Sequence, residues 1–399
     1  MSQNAEWVPR PNGETAQPPP SASPPGPLNG VRILELAQNL AGPYCGQILA
    51  GLGADVIKVE PPGGDAARAW GPPFVDGAGS IFAAANRGKR SIELDLHLEQ
   101  DVTALRALIE QSDILIEAFR PGTFAAMGFD HDTVRGWNPA LIYCSVLAYG
   151  EEGPLHGLPG YDPLMQAHGG LMSITGEPGT RGARVGTSVI DMGTGMWLVI
   201  AIMAALRKRD ASGTGTRLSV SLYDTALAWS SYHIGGFIDT GAVPHPMGSE
   251  LPMIAPYGAF DTTDGHIMIA AGNDGIFARL CDALSLSDLR TDARFGTNAS
   301  RVAHRSAVNA AVRSRVGTFT TADLLGLLRR TGVPCAPIQD IAEVSADPQT
   351  IASGMIASGH GPTAVKMPIR FDGVRPVEGT PPPRAGEHTA AILAELGLD

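Results

Sequence analysis

The chain is poor in cysteine and in cations. Its four cysteines, Cys45, Cys144, Cys281 and Cys335, are widely spaced, with no Cys-X-X-Cys and no histidine cluster beside them. That pattern argues against a zinc site and fits buried free thiols in a reducing cytoplasm. Lysine and arginine total 29 against 40 acidic residues, a net charge of −11. An acidic chain is a poor partner for nucleic acid or an anionic membrane surface. An anionic small ligand stays open, because local clusters of Arg and Lys decide that. No run of about 18 consecutive apolar residues appears, so no transmembrane helix is expected. No internal repeat is present. No Gly-X-Gly-X-X-Gly follows the first predicted strand, so the dinucleotide fingerprint is missing.

What is there reads as ordinary globular material, 399 residues with 44% hydrophobic and 17% charged. That length suggests two domains with ample core. Residues 1–28 are polar and rich in proline, lack a signal-peptide pattern, and are expected to be a disordered leader. Order begins at Gly30-Val-Arg-Ile-Leu-Glu-Leu, a strand. A helical pattern over Cys45–Leu52 and a second strand, Ala54-Asp-Val-Ile-Lys-Val-Glu, follow. Strand, helix, strand within about 30 residues is a βαβ unit with a parallel sheet. Further strands at Asp113-Ile-Leu-Ile-Glu and Leu141-Ile-Tyr-Cys-Ser-Val-Leu alternate with helical patterns, and Val220–Ser230 reads as helix. This predicts a doubly wound, Rossmann-like α/β domain over 29–225. Prolines at 244–256 break the pattern, placing a boundary near 226–245. A hairpin at 257–271 and helices at 275–284, 301–314 and 320–331 predict a small α+β domain over 226–340. Residues 341–399 form the remaining segment, with strands near 364–371 and a helix at 387–396.

Two carboxylates stand out in residues 160–197. Asp162 precedes Pro163, and Asp191 follows Val189-Ile190 and precedes the apolar helical pattern Met196–Leu206. Local pattern favours helix caps for both. Gly193 and Gly195 would also let a ligand approach Asp191, and the positive end of the following helix would keep it ionised. An accessible ionised carboxylate is a nucleophile for acyl groups. His168 reads as a structural histidine. Arg87, Lys89 and Arg90 crowd one short window, which reads as a solvated loop or as a phosphate contact.

The segments Leu36-Ala-Gln-Asn-Leu-Ala-Gly-Pro, Gly53-Ala-Asp-Val-Ile-Lys-Val-Glu, Asn86-Arg-Gly-Lys-Arg-Ser-Ile-Glu-Leu-Asp, Phe119-Arg-Pro-Gly, Gly160-Tyr-Asp, Asp191-Met-Gly-Thr-Gly, Val333-Pro-Cys-Ala-Pro-Ile and Gly386-Glu-His-Thr occur in one order. Together they resemble the class III coenzyme A transferase family (CaiB/BaiF type), from about residue 29 to the C-terminus. That family includes formyl-CoA transferases, carnitine CoA-transferases and α-methylacyl-CoA racemases. The resemblance implies a large Rossmann-like domain built from both ends of the chain, an inserted small domain, and an interlocked homodimer. It implies Asp191 as nucleophile, an acyl-CoA and a carboxylic acid as substrates, and no metal or tightly bound cofactor.

The resemblance also implies coenzyme A contacts. Asn39, Leu40 and Ala41 fall near the thioester and pantetheine. Arg87, Lys89 and Leu94 fall near the nucleotide end. Ala118, Phe119 and Met127 fall on the segment lining the nucleotide, and Tyr161 is a further candidate contact. Two arginines of the family pattern are Pro61 and Ala126 here, which leaves Arg87, Arg90 or Arg120 to contact phosphate. Gly248 and Ser249 stand where relatives carry a glycine-rich loop, with far fewer glycines. The racemase branch pairs a histidine with the aspartate 30 positions on; here that position is Tyr161. A tyrosine, with a pKa of about 10, is a poor proton shuttle at neutral pH, so transfer is favoured over racemisation. The alternatives from other classes are a Rossmann oxidoreductase, disfavoured by the missing glycine fingerprint, and a non-catalytic CoA-binding protein, disfavoured by the presence of Asp191.

Overall fold

The computed structural model describes residues 26–359, 361–376 and 379–398. Six parallel strands form the central sheet. From edge to edge they are Arg90–Glu93, Asp55–Glu60, Arg32–Leu36, Ile114–Glu117, Ile142–Leu147 and Arg217–Ser221. Counted along the chain, the spatial order is 3-2-1-4-5-6, the doubly wound arrangement. Helices cover both faces, so the inner strands are largely buried, their apolar residues interspersed with buried charged ones such as Glu35, Lys58 and Glu60. Ile33, Ile114, Ile116, Cys144 and Val146 face one layer, in a core shared with helices Ala41–Gly51 and Val189–Ser212. Leu34, Ile57, Ile92, Leu115 and Tyr143 face the other, covered by helices Glu99–Glu110, His131–Trp137 and Thr389–Leu396.

Helix Val189–Ser212 is the longest. Its length and a mean hydropathy of 1.9 over an 18-residue window are enough for a membrane span, although it contains no unbroken run of 18 apolar residues. Within this fold it lies against the first helix, with Ile190, Leu198, Ile202 and Leu206 in the core. The contact is very close. A Cβ on Gly195 would stand 2.6 Å from the Ala41 carbonyl oxygen, and one on Gly193 would stand 2.7 Å from the Trp229 ring. These two glycines therefore serve helix packing; their missing side chains give no opening for a ligand.

A second core lies in the three-stranded antiparallel sheet of Tyr257–Asp261, His266–Ala270 and Cys335–Pro337. Phe260, Ile267, Phe277, Val312 and Leu324 fill it, under helices Asp274–Ala283, Arg305–Val316 and Thr321–Arg330. The hairpin expected from the Asp264-Gly265 turn is present. The chain end returns to the first sheet. His388 donates its N–H to the Ser91 carbonyl at 2.9 Å, and Ser91 donates its own to His388 Nδ1 at 3.1 Å.

Several expectations shift. Leu28 is buried and donates to the Leu52 carbonyl at 2.9 Å, so the chain is folded from residue 26; the rest of the expected leader lies outside the described residues. Helices Leu222–Trp229 and Ser231–Thr240 run through the expected boundary near 226–245. Arg217–Ser221 is the sixth strand, not the start of a helix. The late strands are Ile356–Gly359 and Gly361–Val365.

Gly195→Ala drives a methyl group into the Ala41 carbonyl. It is expected to lower unfolding free energy by about 1–3 kcal/mol, read from denaturant midpoints. An unchanged midpoint contradicts the packing described.

Candidate active site

In a doubly wound sheet, ligands collect beyond the carboxyl ends of the strands where the strand order reverses. Here that point lies between Arg32–Leu36 and Ile114–Glu117. A cleft of about 280 Å³ opens there. The segment after the first strand contributes Asn39, Leu40 and Ala41; the segment after the fourth contributes Ala118, Phe119 and Arg120. Tyr161 and Asp191 close the far side. Six of the candidate contacts named from sequence are thus brought together with Asp191: Asn39, Leu40, Ala41, Ala118, Phe119 and Tyr161.

Asp191 lies in the first turn of the long helix, but it is not the cap. Ser188 holds that position and makes no side-chain capping bond. The helix start is held from outside. Asp162 Oδ2 accepts from the Ile190 N–H at 2.7 Å and the Asp191 N–H at 3.2 Å. Asp162 is buried and is itself fixed, since Gln166 Nε2 donates to its Oδ1 at 2.5 Å. Gln166 Oε1 in turn accepts from the Val185 N–H at 2.8 Å. Asp162 therefore caps a helix other than its own, which no local pattern around Pro163 reveals.

This arrangement also sets the chemistry of Asp191. Its carboxylate accepts no hydrogen bond among the described residues, and it borders the cleft. The N–H groups that would have steadied its charge are already given to Asp162. Burial, and secondly the Asp162 charge, push its pKa from 3.8 up to about 7. The expectation that the helix would hold it fully ionised is corrected by that geometry. The result is a bare carboxylate that is half charged near neutrality, a combination suited to attack on an acyl carbon.

The basic run 87–90 does not reach the cleft. Lys89 is 1% exposed and its ammonium is spent on Glu35, the Pro43 carbonyl and Asn86. Arg87 is buried and donates to the Pro362 carbonyl at 3.0 Å. Arg90 is paired with Asp55 at 2.7 Å and Glu395 at 2.6 Å. Leu94 is in the core of the opposite layer. Met127, 38% exposed, follows the turn Thr123–Ala126 outside the cleft lining. Burial for Arg87, Lys89 and Leu94, and ion pairing for Arg90, remove them as contacts to a ligand in this cleft. Arg120 differs. It is exposed, and its guanidinium has no hydrogen bond or ion pair among the described residues. It borders both the cleft and an adjoining hollow of about 420 Å³ that contains Glu117, His131 and Tyr143. His168 stays outside the cleft, edge-on to Tyr149 at 5.6 Å and Tyr223 at 5.2 Å. Gly248 donates its N–H to the Gly176 carbonyl at 2.8 Å, outside the cleft lining. No group of three or more potential metal ligands forms among the described residues.

Comparison with known proteins gives one consistent answer. The model of "CoA-transferase family III" matches residues 28–389. The chain is 40% identical to succinate–glutarate CoA-transferase of Agrobacterium fabrum, over 93% of this chain and 96% of that one. It is 36% identical to acetyl-CoA:oxalate CoA-transferase of Acetobacter aceti, over 94% and 97%. The crystal structure of a CAIB/BAIF family protein from Brucella suis superposes with a TM-score of 0.85 at 41% identity, covering 94% of this chain and all of that one.

A reaction that uses the Asp191 carboxylate is expected to accelerate as pH rises through about 7. Asp162→Asn removes the neighbouring charge, and its acidic limb in kcat/KM is expected at lower pH. A limb that stays in place contradicts the coupling. The sign for stability is opposite. A carboxyl group raised above its unfolded value stabilises the fold at low pH and loses that contribution as pH climbs through about 7. Asp191→Asn is therefore expected to be more stable than the parent at pH 8, by about 1–2 kcal/mol after solvent relaxation, in thermal unfolding.

Proposed function

Since the chain belongs to CoA-transferase family III, we propose that it moves coenzyme A from an acyl-CoA to a carboxylic acid through a thioester on Asp191. The observation that carries this reading is the unpartnered Asp191 carboxylate at the cleft, held by Asp162. An Asp191 oxygen attacks the thioester carbonyl carbon, the C–S bond breaks, and a mixed anhydride and CoA thiolate result. The thiolate attacks the aspartyl carbonyl, the anhydride C–O bond breaks, and the donor acid leaves as its carboxylate. The acceptor carboxylate attacks the aspartyl-CoA, expelling the thiolate. The thiolate then takes the acceptor's acyl group and frees Asp191. The anhydrides are transient and more activated than the thioesters, but overall one thioester and one carboxylate are exchanged for another such pair, so no net proton or water is consumed. CoA enters as part of a substrate, and the reaction calls for no tightly bound cofactor.

The relatives named above act on succinate, glutarate and oxalate, all dicarboxylates, and the acceptor proposed here is of that class. Phosphate contact falls to Arg120, since burial and ion pairs occupy Arg87, Lys89 and Arg90. The protein is proposed to work as a homodimer. Trp197 and Ile200 on the long helix are 41% and 57% exposed, and Trp229, whose ring lies 6.1 Å from that of Trp197, is 38% exposed, an apolar surface that favours a partner. The four free cysteines support a cytoplasmic setting, and the net charge of −11 disfavours an anionic membrane surface.

The enzyme is expected to convert succinyl-CoA and glutarate to glutaryl-CoA and succinate, followed by chromatography, and Asp191→Ala is expected to abolish the reaction. Epimerisation of a 2-methylacyl-CoA without transfer would contradict the reading. Arg120→Ala is expected to raise KM for the acyl-CoA by about 10- to 100-fold with little change in kcat. An unaltered KM would remove Arg120 from the phosphate site.

A further inference from the structure

The segment that forms one wall of the cleft rests on a buried ionic cluster that the mechanism above does not use. Glu35, Lys58, Asp65 and Lys89 are each 2% exposed or less. Lys58 Nζ lies 3.2 Å from Glu35 Oε1 and 2.8 Å from Asp65 Oδ2. Lys89 Nζ lies 3.1 and 2.8 Å from the two Glu35 oxygens and 2.8 Å from Asn86 Oδ1. Two carboxylates and two ammonium groups are thus closed on one another. Desolvating four charges is costly, and a well-packed apolar cluster of the same volume is often as stable. Bulk stability is therefore a weak explanation for this arrangement, and the positions of its outward bonds supply a better one.

Those bonds converge on one stretch of backbone. Lys58 donates to the Ala37 carbonyl at 2.7 Å, and Lys89 donates to the Pro43 carbonyl at 2.8 Å. Asp65 Oδ1 accepts from the Asn39 N–H at 3.3 Å. Asn39 is held in the left-handed region at φ +68°, unusual for a residue with a side chain. The first helix closes down on the cluster, since a Cβ at Gly46 would stand 3.1 Å from Lys89 Nζ and nearer still to a Glu35 oxygen. Residues 37–43 run from the first strand into this helix, and Asn39, Leu40, Ala41 and Gly42 line the same cleft as Asp191. The first N–H groups of a helix have no partner within it, so a fixed first turn is a rigid set of donors.

We propose that the Glu35–Lys58–Asp65–Lys89 cluster is a positioning device for the transfer reaction. It fixes the Ala37–Pro43 wall, and with it the Ala41 and Gly42 N–H groups of the first turn, against the reacting thioester. The proposal rests on the reading of Asp191 given above. It assigns these four side chains no contact with substrate.

Asp65→Asn tests it by removing the charge facing Lys58 while keeping an oxygen for the Asn39 N–H. Ser91→Ala is the control. Ser91 Oγ donates to Glu60 at 2.6 Å and accepts from the Gly386 N–H at 3.0 Å, in the same buried region, without a bond to residues 37–43. Asp65→Asn is expected to lower kcat about ten- to a hundredfold with a much smaller change in KM. It is also expected to speed amide hydrogen exchange in the peptide covering 36–44. Ser91→Ala is expected to leave kcat and that exchange at parent values even where its Tm falls as far. Should Asp65→Asn not fold, Asn86→Ala removes one bond to Lys89, and a smaller fall in kcat with the same exchange signature is expected. Parent-like kcat and exchange in the folded cluster variant, or equal losses in variant and control, would overturn the proposal alone. A parent enzyme with no transferase activity would remove the proposal and the reading beneath it together.

Discussion

The Asp162 carboxylate, seated on the N–H groups of Ile190 and Asp191, is the interaction on which the site depends. It does two things that pull in opposite directions. It pins the first turn of the long helix, which fixes where Asp191 meets the cleft. It also takes the donors that would have stabilised the Asp191 charge and adds a negative charge of its own. The helix end therefore carries an unpartnered carboxylate with a raised pKa at the edge of the cleft. Gln166 makes the arrangement durable by holding Asp162 from the other side.

The sheet supplies the rest. Its 3-2-1-4-5-6 order brings the ends of the first and fourth strands together at the switch point, and the long helix delivers Asp191 to the same place. Dinucleotide-binding sheets of this order use a glycine-rich turn there. This chain instead has Gln38, Asn39 and Leu40, with Asn39 in the left-handed region where a glycine would otherwise serve. The buried cluster below that turn accounts for how a non-glycine residue is kept there. The long helix can lie close enough to matter only because Gly195 has no side chain facing Ala41.

Much of this was legible in the sequence. The opening βαβ unit, the parallel sheet and the 257–271 hairpin follow from short-range pattern, whereas Asp191 stands out through the family resemblance, its local pattern favouring a helix cap. The failures share a cause. Arg87, Lys89 and Arg90 look like an anion site because local charge density is visible and burial is not. Their true partners include Glu35, 54 positions from Lys89, and Asp55, 35 positions from Arg90. The Arg217–Ser221 strand is short, alternating and on the sheet edge, so its signal merged with the following helix. Gly193 and Gly195 read as ligand access, since sequence does not show that Trp229 and Ala41 fill the space. Asp162 and Asp191 were each legible as caps; that one caps the helix of the other was not.

During turnover Asp191 is expected to carry coenzyme A as a covalent thioester. Peptide mass spectrometry after incubating the protein with succinyl-CoA tests it most directly. Coenzyme A attached as a thioester to the peptide carrying Asp191, and absent from Asp191→Ala, is the expected result. An active enzyme that shows no such adduct under rapid quench, or one attached at another residue, would contradict it.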